Sequence, residues 1–433
     1  MQNTETIPVW ILIPFVIQLF VIALAPLFAK QWWESNRNKM IVSLTLSVPI
    51  VIFMFAGGII EKLEHQLLFD YIPFIILLGA LFVVTGGINL KGDIKARPAV
   101  NTLFLAVGYV LASVMGTTGA AMLLIRPILA TNSQRKFKTH TVLFFIATVA
   151  NCGGLLTPLG DPPLFLLYLR GASFTWFLNL LPEWLFVGII LLAVYYAVDT
   201  YFFKKEEWQD ISADMREIIP LRISGSVNFL FIAGIVLSVA FINPVYIASM
   251  GDEHAPVRIR FLREIALILM ATASLVFTKK KVRRLNKFTW TPMLEVTAVF
   301  LGIFVTMTPA LLFLNQNAES LGLHTRWQFY YATGTLSSFL DNAPTTLAMY
   351  SVAQGLPATP PLIAGIPEIL LRAISLGAVF FGAMTYIGNG PNFMVKALAE
   401  ENGIKMPGFF AYMLKFSLIV LLPIYILVQL IFL

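Results

Sequence analysis

Charge is scarce in this chain of 433 residues: 12% are Asp, Glu, Lys or Arg, against 58% hydrophobic. A soluble domain carries about 25% charge, so a soluble globular or disordered protein is excluded. Cysteine is scarcer still, and one residue forms no intrachain disulfide. The four His (His65, His140, His254, His324) fall in loops or at the ends of apolar runs. No HExxH, CxxC or P-loop pattern occurs, so hydrolase, redox and ATPase chemistry lack a motif, and no cofactor is called for. The net charge of +7 lies in loops between apolar runs and is no nucleic-acid footprint.

What the chain has in abundance is apolar runs of roughly 20 residues, each long enough to cross a bilayer. The first, Val9 to Ala29, has no basic n-region and no small-residue cleavage site, and reads as a span rather than a signal peptide. Spans are expected over 8–29, 40–60, 67–90, 139–169, 174–203, 226–248, 260–278, 290–315, 364–399 and 409–432. Two further apolar segments, about 99–130 and 326–355, are interrupted by Met115-Gly-Thr-Thr-Gly119 and Leu340-Asp-Asn-Ala-Pro344. If both are re-entrant hairpins, Lys62, Arg170, Arg258, Arg260, Arg263, Arg326 and Arg372 lie on one side. The other 23 of the 30 basic residues then lie opposite. That bias makes the rich side cytoplasmic and puts both termini outside.

Two stretches repeat. Thr157-Pro-Leu-Gly160-Asp161-Pro-Pro163-Leu-Phe165 matches Thr385-Tyr-Ile-Gly388-Asn389-Gly-Pro391-Asn-Phe393 at an offset of 228. Leu78-Gly79 and Thr85 match Leu301-Gly302 and Thr308 at 223, and Ser113 and Leu123 match Ser337 and Leu347 at 224. Residues 1–203 and 226–433 then form two halves joined by a hydrophilic linker, 204–225. Each half holds five spans, one hairpin and one broken helix (about 139–169 and 364–399). Five is odd, so the halves have inverted topology. The expected fold is an all-α polytopic membrane protein of two inverted repeats, a design in which matched, broken helices mark a transporter's binding site.

Glu183, Asp199, Glu264 and Glu368 lie near span ends, where they can reach water, and interfacial solvation accounts for Glu295. Asp161 and Asp341 sit at depth instead. Desolvation favours the protonated form of a carboxylate and a bound cation favours the ionised form, so one group can hold either. Around Asp161 stand Asn151 and Thr157; around Asp341 stand Ser337, Ser338, Asn342 and Thr345. These hard oxygen donors suit Na⁺ or Li⁺. Asp is also a preferred helix N-cap, which either residue could be. Arg126 before Pro127 reads as a snorkelling or interface residue rather than an anion clamp, and Cys152 as packing.

The hairpin and broken-helix arrangement resembles the ion transporter superfamily. Ser337-Ser-Phe-Leu-Asp341-Asn342-Ala-Pro344-Thr and Gly116-Thr-Thr118 with Leu124-Ile-Arg126-Pro127 are similar to segments of NhaD-type sodium/proton antiporters. Gly388-Asn389-Gly390-Pro391-Asn392 is closer to the arsenite-efflux branch. The Ser-Asn-Thr hairpin tips of the superfamily's dicarboxylate carriers are absent here. The resemblance implies that each hairpin tip meets the broken helix of its own half. Site one would join Thr117 and Thr118 to Asp161; site two would join Asp341 and Asn342 to Thr385 and Asn389. It implies a Na⁺(Li⁺)/H⁺ antiporter in a bacterial cytoplasmic membrane with periplasmic termini, working as a homodimer. The alternatives are a sodium-coupled carrier of citrate-like organic anions and an arsenite-type permease.

Overall fold

Proline punctuates this chain. It has no N–H to donate and is tolerated in the first turn of a helix, where that N–H would be idle. Helices accordingly start at or next to Pro73, Pro98, Pro162, Pro182, Pro292 and Pro391. The computed structural model describes residues 7–207, 219–252 and 254–433, so residues 208–218 of the expected linker lie outside the described residues.

Among the described residues eight helices are long and apolar enough to cross a membrane, and the chain is a polytopic membrane protein. They are Val9–Pro26, Asn36–Ala56, Ile60–Thr85, Pro98–Met115, Thr139–Leu156, Phe174–Phe203, Thr291–Gln316 and Phe409–Phe432. Seven coincide with expected spans; the eighth, Pro98–Met115, is the first arm of the first hairpin. The spans expected at 226–248 and 260–278 become helices of 15 and 16 residues, and that at 364–399 divides into two.

The helices that build the centre are α1 (Pro98–Met115), α2 (Thr117–Thr131), α3 (Thr139–Thr148), α4 (Pro162–Leu169) and α5 (Leu181–Phe203). From the second half come α6 (Thr291–Gln316), α7 (Arg326–Phe339), α8 (Asn342–Gln354), α9 (Glu368–Phe381) and α10 (Gly390–Glu401). Both hairpins return to the level they left. Asn101 and Asn132, near the open ends of α1 and α2, exchange amide hydrogen bonds of 2.9 and 3.0 Å. Thr325 and Arg326 at the start of α7 line one surface cavity with Leu356 and Pro357 after α8.

The 23-residue α5 sets the scale, about 34 Å at 1.5 Å per residue. Asn101 of the first hairpin donates to Asp199 near its C-terminal end at 3.1 Å. Near its N-terminal end Glu183 meets Arg372, 2.6 Å away, one turn along α9 from Ile369, which lines the cavity at the base of the second hairpin. The hairpins therefore open toward opposite ends of α5.

Glu183, Asp199 and Glu264 do not reach water as expected: all three are buried. Each is held by a guanidinium instead, from Arg372, Arg135 and Arg263 respectively. Such pairing offsets the cost of burying a carboxylate in a low-dielectric interior. Glu295 keeps 41% of its side chain exposed, as expected, while bonding buried Lys39 at 2.6 Å. A two-stranded ribbon was not foreseen: Asn89–Asp93 pairs antiparallel with Ile219–Ser224, with Lys91 opposite Arg222.

Candidate functional site at the junction of two broken helices

Each broken helix is interrupted the same way. After α3, a 3-10 turn at Cys152–Leu156 leads through a second turn, residues 158–160, to Asp161, the N-cap of α4. After α9, a 3-10 turn at Gly382–Met384 leads to Asn389, the N-cap of α10. The cap residues share one backbone conformation, with φ/ψ of −147/143° at Asp161 and −150/141° at Asn389. Close approach requires the glycines: a side chain on Gly160 would overlap the Gly154 carbonyl, and one on Gly388 would fall 2.7 Å from that of Ser337.

An N-cap carboxylate normally accepts from the N–H of N2 or N3. Asp161 makes no such bond, and Pro162 and Pro163 at the first two helical positions offer no N–H. Its carboxylate, 1% exposed, turns to three other donors. Thr117 Oγ1 donates to Oδ1 at 3.0 Å, Asn389 Nδ2 to Oδ1 at 3.1 Å, and Asn342 Nδ2 to Oδ2 at 2.6 Å. Thr117 opens α2, Asn342 opens α8 and Asn389 caps α10, so four helix N-termini converge on one carboxylate.

Asn151 completes the junction. Its amide nitrogen donates to Asn392 Oδ1 at 2.6 Å, and its oxygen accepts from Asn389 at 3.2 Å. Asn392, buried, donates onward to the Gly382 and Thr385 carbonyls at 2.8 and 2.9 Å. The sequence reading missed Asn392 because its counterpart at the repeat offset of 228 is Leu164.

The remaining candidates hold the framework. Thr157 ties its break to the first hairpin by donating to the Ser113 carbonyl, and Thr385 does the same to the Ser338 carbonyl. Ser337, Ser338 and Thr345 spend their hydroxyls on backbone carbonyls of the second half. Asp341 caps α8, its Oδ1 accepting from the Ala343 N–H at 3.0 Å. Thr118 is exposed, on the wall of a cavity.

Two expectations are corrected here. The two expected sites are not separate in their contacts: Asn342 and Asn389, assigned to site two, both bond Asp161 of site one. The cause is end-to-end contact of the two breaks, which lets residues of both halves reach the same carboxylate. The hairpin register also moves by one residue. Thr117 and Asn342 each take the first helical position after the tip, so Asp341 corresponds to Gly116 and not to Thr117, with which the repeat offset of 224 pairs it. Gly116 has φ +80°, which suits glycine, whereas Asp341 has φ −59°.

The cavity beside Asp161 lies between the first hairpin tip and α6. Its wall carries Met115, Met122, Met293 and Met394 together with Leu81 and Phe165. Its polar side chains are Thr85, Thr117, Thr118 and Asp161.

The comparisons with known proteins agree with a transporter. A family model described as "Putative citrate transport" matches residues 4–433. A "46 kDa membrane protein" of Mycobacterium leprae (strain TN) is 26% identical over 401 residues, covering 84% of this chain and 87% of that one. Matched over nearly its whole length, the chain belongs to that citrate-transport family of the ion transporter superfamily, and is a multi-pass membrane transporter rather than an enzyme.

Proposed function

We propose that this protein is a cation-coupled secondary transporter of an organic anion, with Asp161 as the coupling carboxylate. The observation that carries the reading is the meeting of four helix N-termini around one buried carboxylate. Each N-terminus brings the positive end of a helix dipole, about half a charge, a field that attracts an anion. Asp161 gives Na⁺ or a proton a place to bind. The family's description supports an organic acid as cargo.

In this proposal residues 1–203 and 226–433 are inverted repeats of five spans, which the opposite opening of the two hairpins supports. The termini face the outside of a bacterial cytoplasmic membrane, and the working unit is a homodimer. In a Cys152→Ala background, a cysteine near Lys136 should resist an impermeant thiol reagent added outside. One near His324 should react with it; the opposite pattern overturns the orientation.

The decisive experiment is uptake of labelled citrate into proteoliposomes under an inward Na⁺ or proton gradient. Accumulation that collapses with the gradient, and is lost in Asp161→Asn, is the expected result. Absence of accumulation of citrate, and of succinate and benzoate in its place, under either gradient sinks the anion reading.

A second reading, Na⁺(Li⁺)/H⁺ antiport, is favoured by the cavity itself: no Lys or Arg is among its lining residues, and Asp161 is its charged side chain. Bare Na⁺ or Li⁺ added to acid-loaded vesicles alkalinises the lumen only under this reading. Direct competition at one carboxylate would then raise the apparent KM for Na⁺ about tenfold per pH unit below the site's pKa, with the maximal rate unchanged.

A further inference from the structure

Basic side chains removed from water in the membrane-embedded helices have partners. Lys39 meets Glu295, Arg263 meets Glu264, Arg372 meets Glu183 and Lys396 meets Glu400. Arg170, at the C-terminal cap of α4, meets Asp70 in the same way. Arg126 is different. It is half-buried in α2, five residues short of the helix end, and among the described residues nothing forms a hydrogen bond, ion pair or ring contact with it. A half-buried guanidinium without a partner inside the protein marks a place where a partner arrives.

Its place on the helix says from where. Thr118, Met122 and Arg126 recur every four residues, so they share one face of α2. Thr118 and Met122 line the cavity that ends at Asp161. Arg126 follows one turn later, about 6 Å along the axis, toward the open end of the hairpin. A helical side chain covers the turn N-terminal to its own Cα. By that rule the Arg126 side chain starts out along the Met122 side of α2, the side on which the cavity lies. Its planar fork matches a carboxylate in two parallel hydrogen bonds, which a lysine cannot reproduce.

We propose that Arg126 is the residue that receives the carboxylate of the transported anion between the open end of the first hairpin and Asp161. This rests on the organic-anion reading above. The cation that the cavity wall lacks is supplied one turn beyond it. The anion's body then lies against Met122 and the other apolar wall residues, with its carboxylate anchored at Arg126 and the coupling cation at Asp161.

The test uses full-length protein in proteoliposomes and whichever of citrate, succinate and benzoate the wild type takes up best. Arg126→Gln should raise the KM for that acid roughly tenfold to a hundredfold, the range expected for lost hydrogen bonds to a charged group. The maximal rate should change little, and the KM for the coupling cation should stay the same. Arg126→Lys, which keeps the charge and loses the fork, should raise the acid's KM at least severalfold, and decides the question if Arg126→Gln fails to insert. An unchanged KM for the acid in both variants, or a fall in maximal rate alone, overturns the assignment. Wild-type protein that moves none of the three acids yet exchanges Na⁺ for protons overturns the anion reading beneath it.

Discussion

The two breaks differ in one functional atom pair while sharing their geometry. Asp161 and Asn389 cap equivalent half-helices with the same backbone angles, and Thr157 and Thr385 tie the two breaks to their hairpins through the same kind of bond. Yet the first break carries a carboxylate and the second an amide that donates to it. The lesson is that an internal repeat can preserve framework and divide chemistry. The hairpins have divided it too: the N-cap after one tip is Gly116 and after the other Asp341.

The sharpest way to break the comparison is to erase the difference. Asp161→Asn makes both breaks neutral, and should lower coupled uptake by at least about a hundredfold, since the charge that would hold the cation is lost together with the acceptor for Asn342 Nδ2. Protein levels in the membrane should hold, because Asn keeps the shape. The double swap Asp161→Asn with Asn389→Asp moves the carboxylate to the other break. Measurable recovery of gradient-driven uptake would show that the shared geometry suffices; none would show that the surroundings of Asp161 are specific to it.

A smaller effect is expected from the donors. Thr117→Val and Asn342→Ala each remove one hydrogen bond to the carboxylate, and each should weaken apparent cation affinity by roughly tenfold. They come from opposite halves, so similar losses would support a single shared junction. A loss confined to Thr117→Val would restore the picture of separate sites. Smallest of all should be Thr157→Val and Thr385→Val. Each leaves one hairpin carbonyl without its donor, at a cost of about 1 kcal/mol. Thermal melting of the purified protein should show two nearly equal shifts; a large inequality would mean the two frameworks are less alike than their hydrogen bonds.

Much of this was legible in the residues, and what was not has a physical cause. Long apolar runs gave the spans because a bilayer demands length and apolarity alone. The paired Thr-x-x-Gly stretches located both breaks because Gly and Pro are local signals. Partnership across the chain left no such signal. Nothing near Glu183 in sequence announces Arg372, so its burial read as surface exposure. Asn151 and Asn392 bond each other although neither has a polar counterpart in the other half (Val379 and Leu164), and a search for matching residues passes over such a pair. Asp341 was misplaced by one residue because its tip and the glycine tip take different backbone angles to reach the same first helical turn. The ribbon escaped notice because its strands, Asn89–Asp93 and Ile219–Ser224, are short and far apart.

That ribbon has a consequence for the order in which the protein is made. The edge at Asn89–Asp93 leaves the ribosome about 130 residues before its partner strand, which at 5–20 residues per second is a wait of roughly 7–26 s. During that time it is an unpaired strand of the sort that recruits other chains, and a lysine in the middle of an edge is a recognised deterrent. Lys91 stands directly opposite Arg222 in the finished protein, where like charges weaken the pairing. Its cost to the mature ribbon is thus offset by protection of the nascent one. Lys91→Thr should raise the melting temperature slightly and lower the yield of monodisperse protein, most visibly when translation is slowed.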